Sequence, residues 1–242
     1  MLNIAGYRFV PIDDASALRQ RVFDTAQAAG LRGTVLLAEE GINLSLAGPA
    51  DAVRGFLHWL RSDARFADLT VQESRSAEVP FARLRVKCKP EIIRMGRPAI
   101  RPVAGRAPAV DATTLRRWLD AGHDDAGRPL ALLDTRNAFE VDHGTFAGAL
   151  DWRLSRFTEF PPAAAARRAE LHGKTVVTFC TGGIRCEKAA LALQADGVAN
   201  VLQLDGGILR YFRDTDGAHF TGRCFVFDER EALDTHLRHA IE

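Results

Sequence analysis

The sequence is poor in cysteine, in long apolar runs and in net charge, and each shortage excludes something. Its 242 residues hold four cysteines, Cys88, Cys180, Cys186 and Cys224, with no Cys-x-x-Cys pair. So few in so long a chain argue against a disulfide scaffold. No stretch approaches the ~18 consecutive apolar residues of a membrane-spanning helix. The opening "MLNIAGYRFV" lacks the basic start and long apolar run of a secretory signal. The expectation is a cytoplasmic protein with no membrane partner. Net charge is +1, so any preference for a polyanion must come from a local patch. No Ser-His-Asp order or phosphate-binding glycine loop is found. "HLRH" at 236–239 would put His236 and His239 on one helix face, but near a chain end it is a weak metal signal. No metal site is expected, and no flavin, haem or other cofactor motif is evident.

What is present suffices for two modest domains, with 47% hydrophobic residues. Residues 1–95 read strand, helix, strand, strand, helix, strand. "NIAGYRFVPI" is a strand, and "DDASALRQRVFDTAQAAG" is a helix stopped at Gly30. "GTVLLAEEG" and "INLSLAG" form a hairpin turning near Glu40-Gly41. A second helix starts at Pro49, and "LTVQESR" is a fourth strand. That order predicts a small ferredoxin-like, acylphosphatase-like α+β domain. Residues 96–112 contain "GRPAIRPVAGRAPAV", rich in Gly, Pro and Arg without apolar periodicity, and read as a linker. From 113 to 222 apolar strands ("LALLDTR", "TVVTFC", "NVLQLDGG") alternate with helical segments. This predicts an α/β domain, a parallel sheet with helices on both faces. Residues 223–242 remain as a carboxyl-terminal extension.

The stretch "TVVTFCTGGIRCEKAA", residues 175–190, carries the chemistry. Ligands of parallel α/β sheets bind beyond the carboxyl ends of the strands, and Cys180 sits at such an end. Gly182 and Gly183 let successive backbone N–H groups turn inward as an anion nest. The following helix presents its positive end, and Arg185 adds a fixed charge. Together Thr181, Gly182, Gly183, Ile184, Arg185 and Cys186 should bring the thiol from a pKa of about 8.5 to somewhere near 4–7. Cys180 is therefore a candidate nucleophile. Cysteine phosphatases place arginine six positions after the cysteine; here it is five positions after, in Cys-x-x-Gly-x-Arg. That shorter cradle resembles the loop of the rhodanese family, whose cysteine carries a persulfide sulfur. "LLDTRNAFEVDHGTFAGAL" also matches the rhodanese pattern, and there Asp134, Arg136 and Glu140 read as a supporting charge cluster, since a buried arginine needs a partner. Cys186 is either a resolving thiol or a small packing residue. Cys88 and Cys224 read as structural.

Longer words extend the resemblance over essentially the whole chain. "EGIN" at 40–43, "EIIRMG" at 91–96, "DTRNAFE" with "GTFAGA", "CTGGIRCEKA" and "CFVFDER" at 224–230 follow one another in order. On these the chain resembles the bacterial tRNA uridine hydroxylase family, rhodanese-domain proteins that hydroxylate C5 of the wobble uridine. It differs at Leu44-Ser45, where many relatives read Gly-Thr. It also resembles a short variant, stopping soon after "FDER" where many carry a longer cysteine-containing tail. The resemblance implies tRNA as partner and molecular oxygen as co-substrate. Independently, "RLRVKCK" at 83–89 alternates Arg83, Arg85, Lys87 and Lys89 with Leu84, Val86 and Cys88; as a strand it would have one basic and one apolar face. With Arg94, these lie in a segment, 83–106, of net charge +7, while the rest of the chain carries −6. That is a footprint for a phosphate backbone. Three readings follow: a tRNA hydroxylase, a sulfurtransferase carrying a persulfide, and a binding module whose cysteine senses redox state.

Overall fold

The computed structural model describes residues 1–239 and divides them into two compact units. The first is Met1–Arg94 with Phe227–Arg230; the second is Met95–Val226 with the chain from Glu231 onward.

In the first unit the elements run β1 (Leu2–Phe9), α1 (Ala15–Ala28), β2 (Arg32–Ala38), β3 (Gly41–Gly48), α2 (Ala50–Arg61), β4 (Val71–Arg75) and β5 (Leu84–Cys88). Alternating apolar residues on the strands and i, i+3/i+4 apolar residues on the helices face each other. Leu18, Val22 and Ala26 of α1 and Val53, Phe56, Leu57 and Leu60 of α2 meet Ile4, Val35, Leu37, Ile42, Leu44 and Leu46 in one core. The sheet order is β4-β1-β3-β2-β5. Its first four strands pair antiparallel, as the βαββαβ pattern requires, and β5 adds parallel to β2 at the edge. Leu44 is a buried member of this core. The "FDER" segment closes the unit: Asp228 and Arg230 form a buried ion pair, and Arg230 Nη1 donates to Ser74 Oγ at 2.8 Å.

The second unit follows with β6 (Ala109–Val110), α3 (Ala112–Ala121), β7 (Leu130–Asp134), α4 (Ala138–Val141), β8 (Gly144–Phe146), β9 (Leu150–Asp151), α5 (Phe160–Arg167), β10 (Thr175–Phe179), α6 (Ile184–Ala195), β11 (Val201–Leu204), α7 (Gly207–Thr215), β12 (Phe220–Gly222), β13 (Cys224–Phe225) and β14 (Ala232–Leu233). The main sheet, β6-β11-β10-β7-β9, is parallel throughout. Its central strand β10 is buried at all five positions, as a sheet covered on both faces demands. Val177 and Phe179 pack with Leu115 and Trp118 of α3 and Ile208 and Phe212 of α7. On the opposite face Thr178 Oγ1 donates to Cys186 O of α6 at 3.0 Å.

Two expectations change. The stretch read as a linker contributes strand β6, buries Ile100 and Ala107, and ties Arg97 to Asp196 through two hydrogen bonds of 2.8 and 2.6 Å. A two-residue strand has no periodicity for composition to reveal. "HLRH" is not helical either. The Asp234 side chain accepts from the N–H groups of His236 and Arg238, both at 2.9 Å, and Leu237 has φ 59°, so the chain turns instead. Among the described residues no cluster of three or more His, Cys, Asp or Glu side chains could hold a metal, and no helix is long and apolar enough to cross a membrane.

Candidate active site

Strand β10 ends by delivering Cys180 into the turn Thr181–Gly183, and α6 begins at once with Ile184. Gly183 caps that helix at φ 104°, a left-handed conformation that glycine adopts without strain. The turn directs the Gly183 N–H at the Cys180 sulfur, 3.2 Å away. The amides of Arg185 and Cys186 and the neighbouring Cys186 thiol also favour the thiolate. The Cys186 thiol itself donates to Gly183 O at 3.0 Å. Cys180 has no exposed surface, and burial pushes its thiol up. The adjacent Cys186 thiol, the nearby Arg185 charge and the two amides outweigh that burial, and the Cys180 pKa falls to about 5. Cys186 goes the opposite way: burial and the Cys180 charge hold it protonated. The two thiols are thus differentiated, one an acceptor and the other a donor.

Arg185 differs in detail from the expectation that it adds its charge directly to the sulfur. Its guanidinium is committed to Glu140, Nη1 to Oε2 at 2.5 Å and Nη2 to Oε1 at 2.7 Å, with both side chains almost fully buried. It acts on Cys180 by charge, not as the cradle's principal donor; the donor bonded to the sulfur is the Gly183 amide. Glu140 also accepts from the Asn137 N–H at 3.0 Å, so α4 anchors the pair. Asp134 and Arg136 make a second buried pair at 2.6 Å. From it Arg136 donates to Gly144 O at 2.7 Å, and Asp134 accepts from Thr145 Oγ1 at 2.8 Å, fastening β8. The three supporting residues therefore hold the frame, and only Glu140 is bonded to the loop.

Sequence reasoning missed the residue that turns the loop carbonyls. Ile208 N–H donates to Cys180 O at 3.0 Å and Leu209 N–H to Thr181 O at 3.1 Å, so the first turn of α7 occupies both carbonyls. This close approach requires Gly207, at φ 66°. A Cβ there would lie 2.5 Å from Cys180 O, 2.7 Å from Thr181 O and 2.8 Å from Gly183 N. The signal was the double glycine in "LDGG". Cys224 is buried, as a structural role requires, and burial raises its thiol to about 12. Thr181 Oγ1 donates to Phe225 O at 3.3 Å, tying β13 to the loop. Cys88 is a correction. It is exposed, its thiol bonded to Ala15 O at 3.4 Å, where α1 begins and no longer covers the strand. Arg83, Arg85, Lys87, Lys89 and Arg94 all lie in the first unit and are all exposed; none makes an ion pair among the described residues.

A parallel sheet with a strand-end cysteine in a six-residue amide loop defines a rhodanese-type domain, and family comparison agrees. Residues 111–214 match the rhodanese-like domain, and residues 1–92 match the UPF0176 acylphosphatase like domain. The tRNA uridine(34) hydroxylase of Variovorax paradoxus is 65% identical over 96% of this chain and 89% of its own length. That of Bordetella pertussis is 64% identical over 98% of this chain and 97% of its own. Among solved structures, the rhodanese-like domain of an Anabaena protein matches 48% of this chain and 79% of its own, with 20% identity and a TM-score of 0.39. The chain belongs to the tRNA uridine(34) hydroxylase family.

Proposed function

We propose that this chain hydroxylates C5 of the wobble uridine of tRNA, with Cys180 as nucleophile. The observation that carries this is the Cys180 sulfur at the end of β10, held 3.2 Å from the Gly183 N–H in a loop that favours its thiolate. Uracil C5 reacts poorly with dioxygen unaided. Addition of the thiolate to C6 makes C5 an enolate-like carbon, the usual benefit of covalent catalysis. That carbon takes molecular oxygen, giving a C5 hydroperoxide once protonated. Two electrons from an external thiol-class reductant cleave the O–O bond, releasing water and leaving C5–OH. Loss of the C5 proton with departure of Cys180 restores the C5=C6 bond and the thiolate. Because Cys180 is fully buried at rest, the base must leave its stack and the loop must yield to admit it. Arg83, Arg85, Lys87, Lys89 and Arg94 are proposed to hold the RNA backbone.

Mass spectrometry of wobble nucleosides tests this. Cells lacking the gene should lose the C5 oxygen, and the wild-type gene but not Cys180→Ser should restore it. The Cys-x-x-Gly-x-Arg loop also suits sulfane-sulfur transfer. Robust thiocyanate formation from cyanide and thiosulfate, with unchanged wobble nucleosides in the deletion strain, would favour that second reading.

A further inference from the structure

The first unit carries a groove, of about 250 Å³, between α1 and the edge strand β5. It is lined by Arg19, Gln20 and Phe23 from the helix and by Leu84, Arg85, Val86 and Lys87 from the strand. We propose that this groove seats a ribose–phosphate segment of the tRNA substrate, an inference that rests on the tRNA reading above.

Charge is the first argument. Three of the lining residues are cations, none is acidic, and none of the three makes an ion pair among the described residues. By contrast, Arg65 in the same unit bonds both Asp14 and Asp63. The carboxylate of Asp24, next to the groove, is engaged by Gln20 Nε2 at 2.8 Å.

The strand's backbone is the second. In a parallel ladder alternate residues turn both their N–H and their C=O to the neighbouring strand. Gly33 N–H bonds Arg83 O at 3.1 Å and Lys89 N–H bonds Leu37 O at 2.8 Å, so the odd-numbered residues of β5 face β2. The N–H groups of Leu84 and Val86 therefore point away from the sheet, and β5 has no strand beyond it. Edge amides flanked by cations are donors for phosphate oxygens.

Spacing argues for a polymer over a single small anion. Arg83, Arg85, Lys87 and Lys89 stand at every second residue, about 6.6 Å apart on an extended strand. That is comparable to the separation of successive phosphates along an extended RNA strand. Partly buried Phe23 supplies an apolar wall of the groove against which a sugar or base can lie.

The test compares the wild-type chain with the double variant Arg85→Glu/Lys87→Glu and with Arg19→Glu, after thermal melting shows that each folds. The neutral Arg85→Gln/Lys87→Gln and Arg19→Gln carry the test should charge reversal prevent folding. Binding of the unmodified substrate tRNA is measured across a salt series, together with KM for hydroxylation and the alkylation rate of Cys180. The expected result is a Kd and KM raised about tenfold or more, and a salt slope shallower by about 0.7–0.9 for each phosphate no longer neutralised. The Cys180 alkylation rate should keep its wild-type value. Variants that match the wild type in Kd and salt slope overturn the groove assignment alone. A wild-type chain that neither binds nor hydroxylates tRNA overturns the functional reading, and the groove assignment with it. Variants that lose inorganic phosphate or an acidic peptide but keep tRNA overturn it in favour of those ligands.

Discussion

Arg185, just after the Cys180 turn, and Glu140 of α4 clasp each other through both guanidinium nitrogens and both carboxylate oxygens, buried together. The pair sets the charge beside Cys180 without contributing a principal donor to it. Removing one partner of a buried pair strands the other at a cost of about 3–5 kcal/mol. Glu140→Gln should lower the melting temperature accordingly and move the Cys180 pKa further down, since an uncompensated guanidinium favours the thiolate. Arg185→Ala should destabilise similarly but raise that pKa. Thermal melting with thiol titration checks both signs.

Gly207 tests the role of α7. A methyl group there meets Cys180 O, Thr181 O and Gly183 N at 2.5–2.8 Å, on a backbone at φ 66°. Gly207→Ala should displace the loop and cost about 2–4 kcal/mol, from overpacking and the left-handed backbone together. It should also raise the Cys180 pKa and reduce kcat about 100-fold or more, as expected when preorganised donors are displaced. Wild-type turnover by a folded Gly207→Ala chain would remove α7 from the account.

The pH dependence follows from the sign of the shift. The Cys180 pKa is lowered to about 5, with Cys186 and Cys224 both raised. Thiolate absorbance, taken as wild type minus Cys180→Ser, should rise with a midpoint near pH 5 and stay flat through neutrality. Hydroxylation should depend on the same group, falling only as the pH drops through that midpoint. A midpoint above pH 8 would mean that the amides do not stabilise the sulfur.

Thiol accessibility gives a simpler check. Cys88 is exposed, whereas Cys180, Cys186 and Cys224 have no exposed surface. A bulky polyethylene glycol maleimide should label the native chain once, at Cys88, and four times after unfolding. Labelling of Cys180 at the same rate would mean that the loop is open at rest.

Local pattern made much of this legible. The apolar run "TVVTF" and its flanking helices announced a two-sided parallel sheet, and the two glycines after Cys180 announced the turn that aims an amide at its sulfur. The alternation in "RLRVKCK" fits β5, a fifth strand that the four-strand order did not include. Long-range pairing was not legible. Glu140 stands 45 residues from Arg185, and nothing in either segment says that the guanidinium turns to the carboxylate. Nor does "LDGG" say that its second glycine lies against the Cys180 carbonyl. Cys88 follows the apolar alternation, yet it lies where α1 begins and its cover ends, a fact of packing that period two cannot report.

Covalent trapping tests the central claim most directly. Substrate tRNA carrying 5-fluorouridine at the wobble position cannot lose a C5 proton, so a thiolate that adds at C6 should remain bound. Incubation with oxygen but without the thiol reductant stops the sequence before O–O cleavage and should give an adduct whose peptide map places the nucleotide on Cys180. Full hydroxylation of ordinary tRNA by the same preparation, with no adduct or one on another residue, would contradict the account.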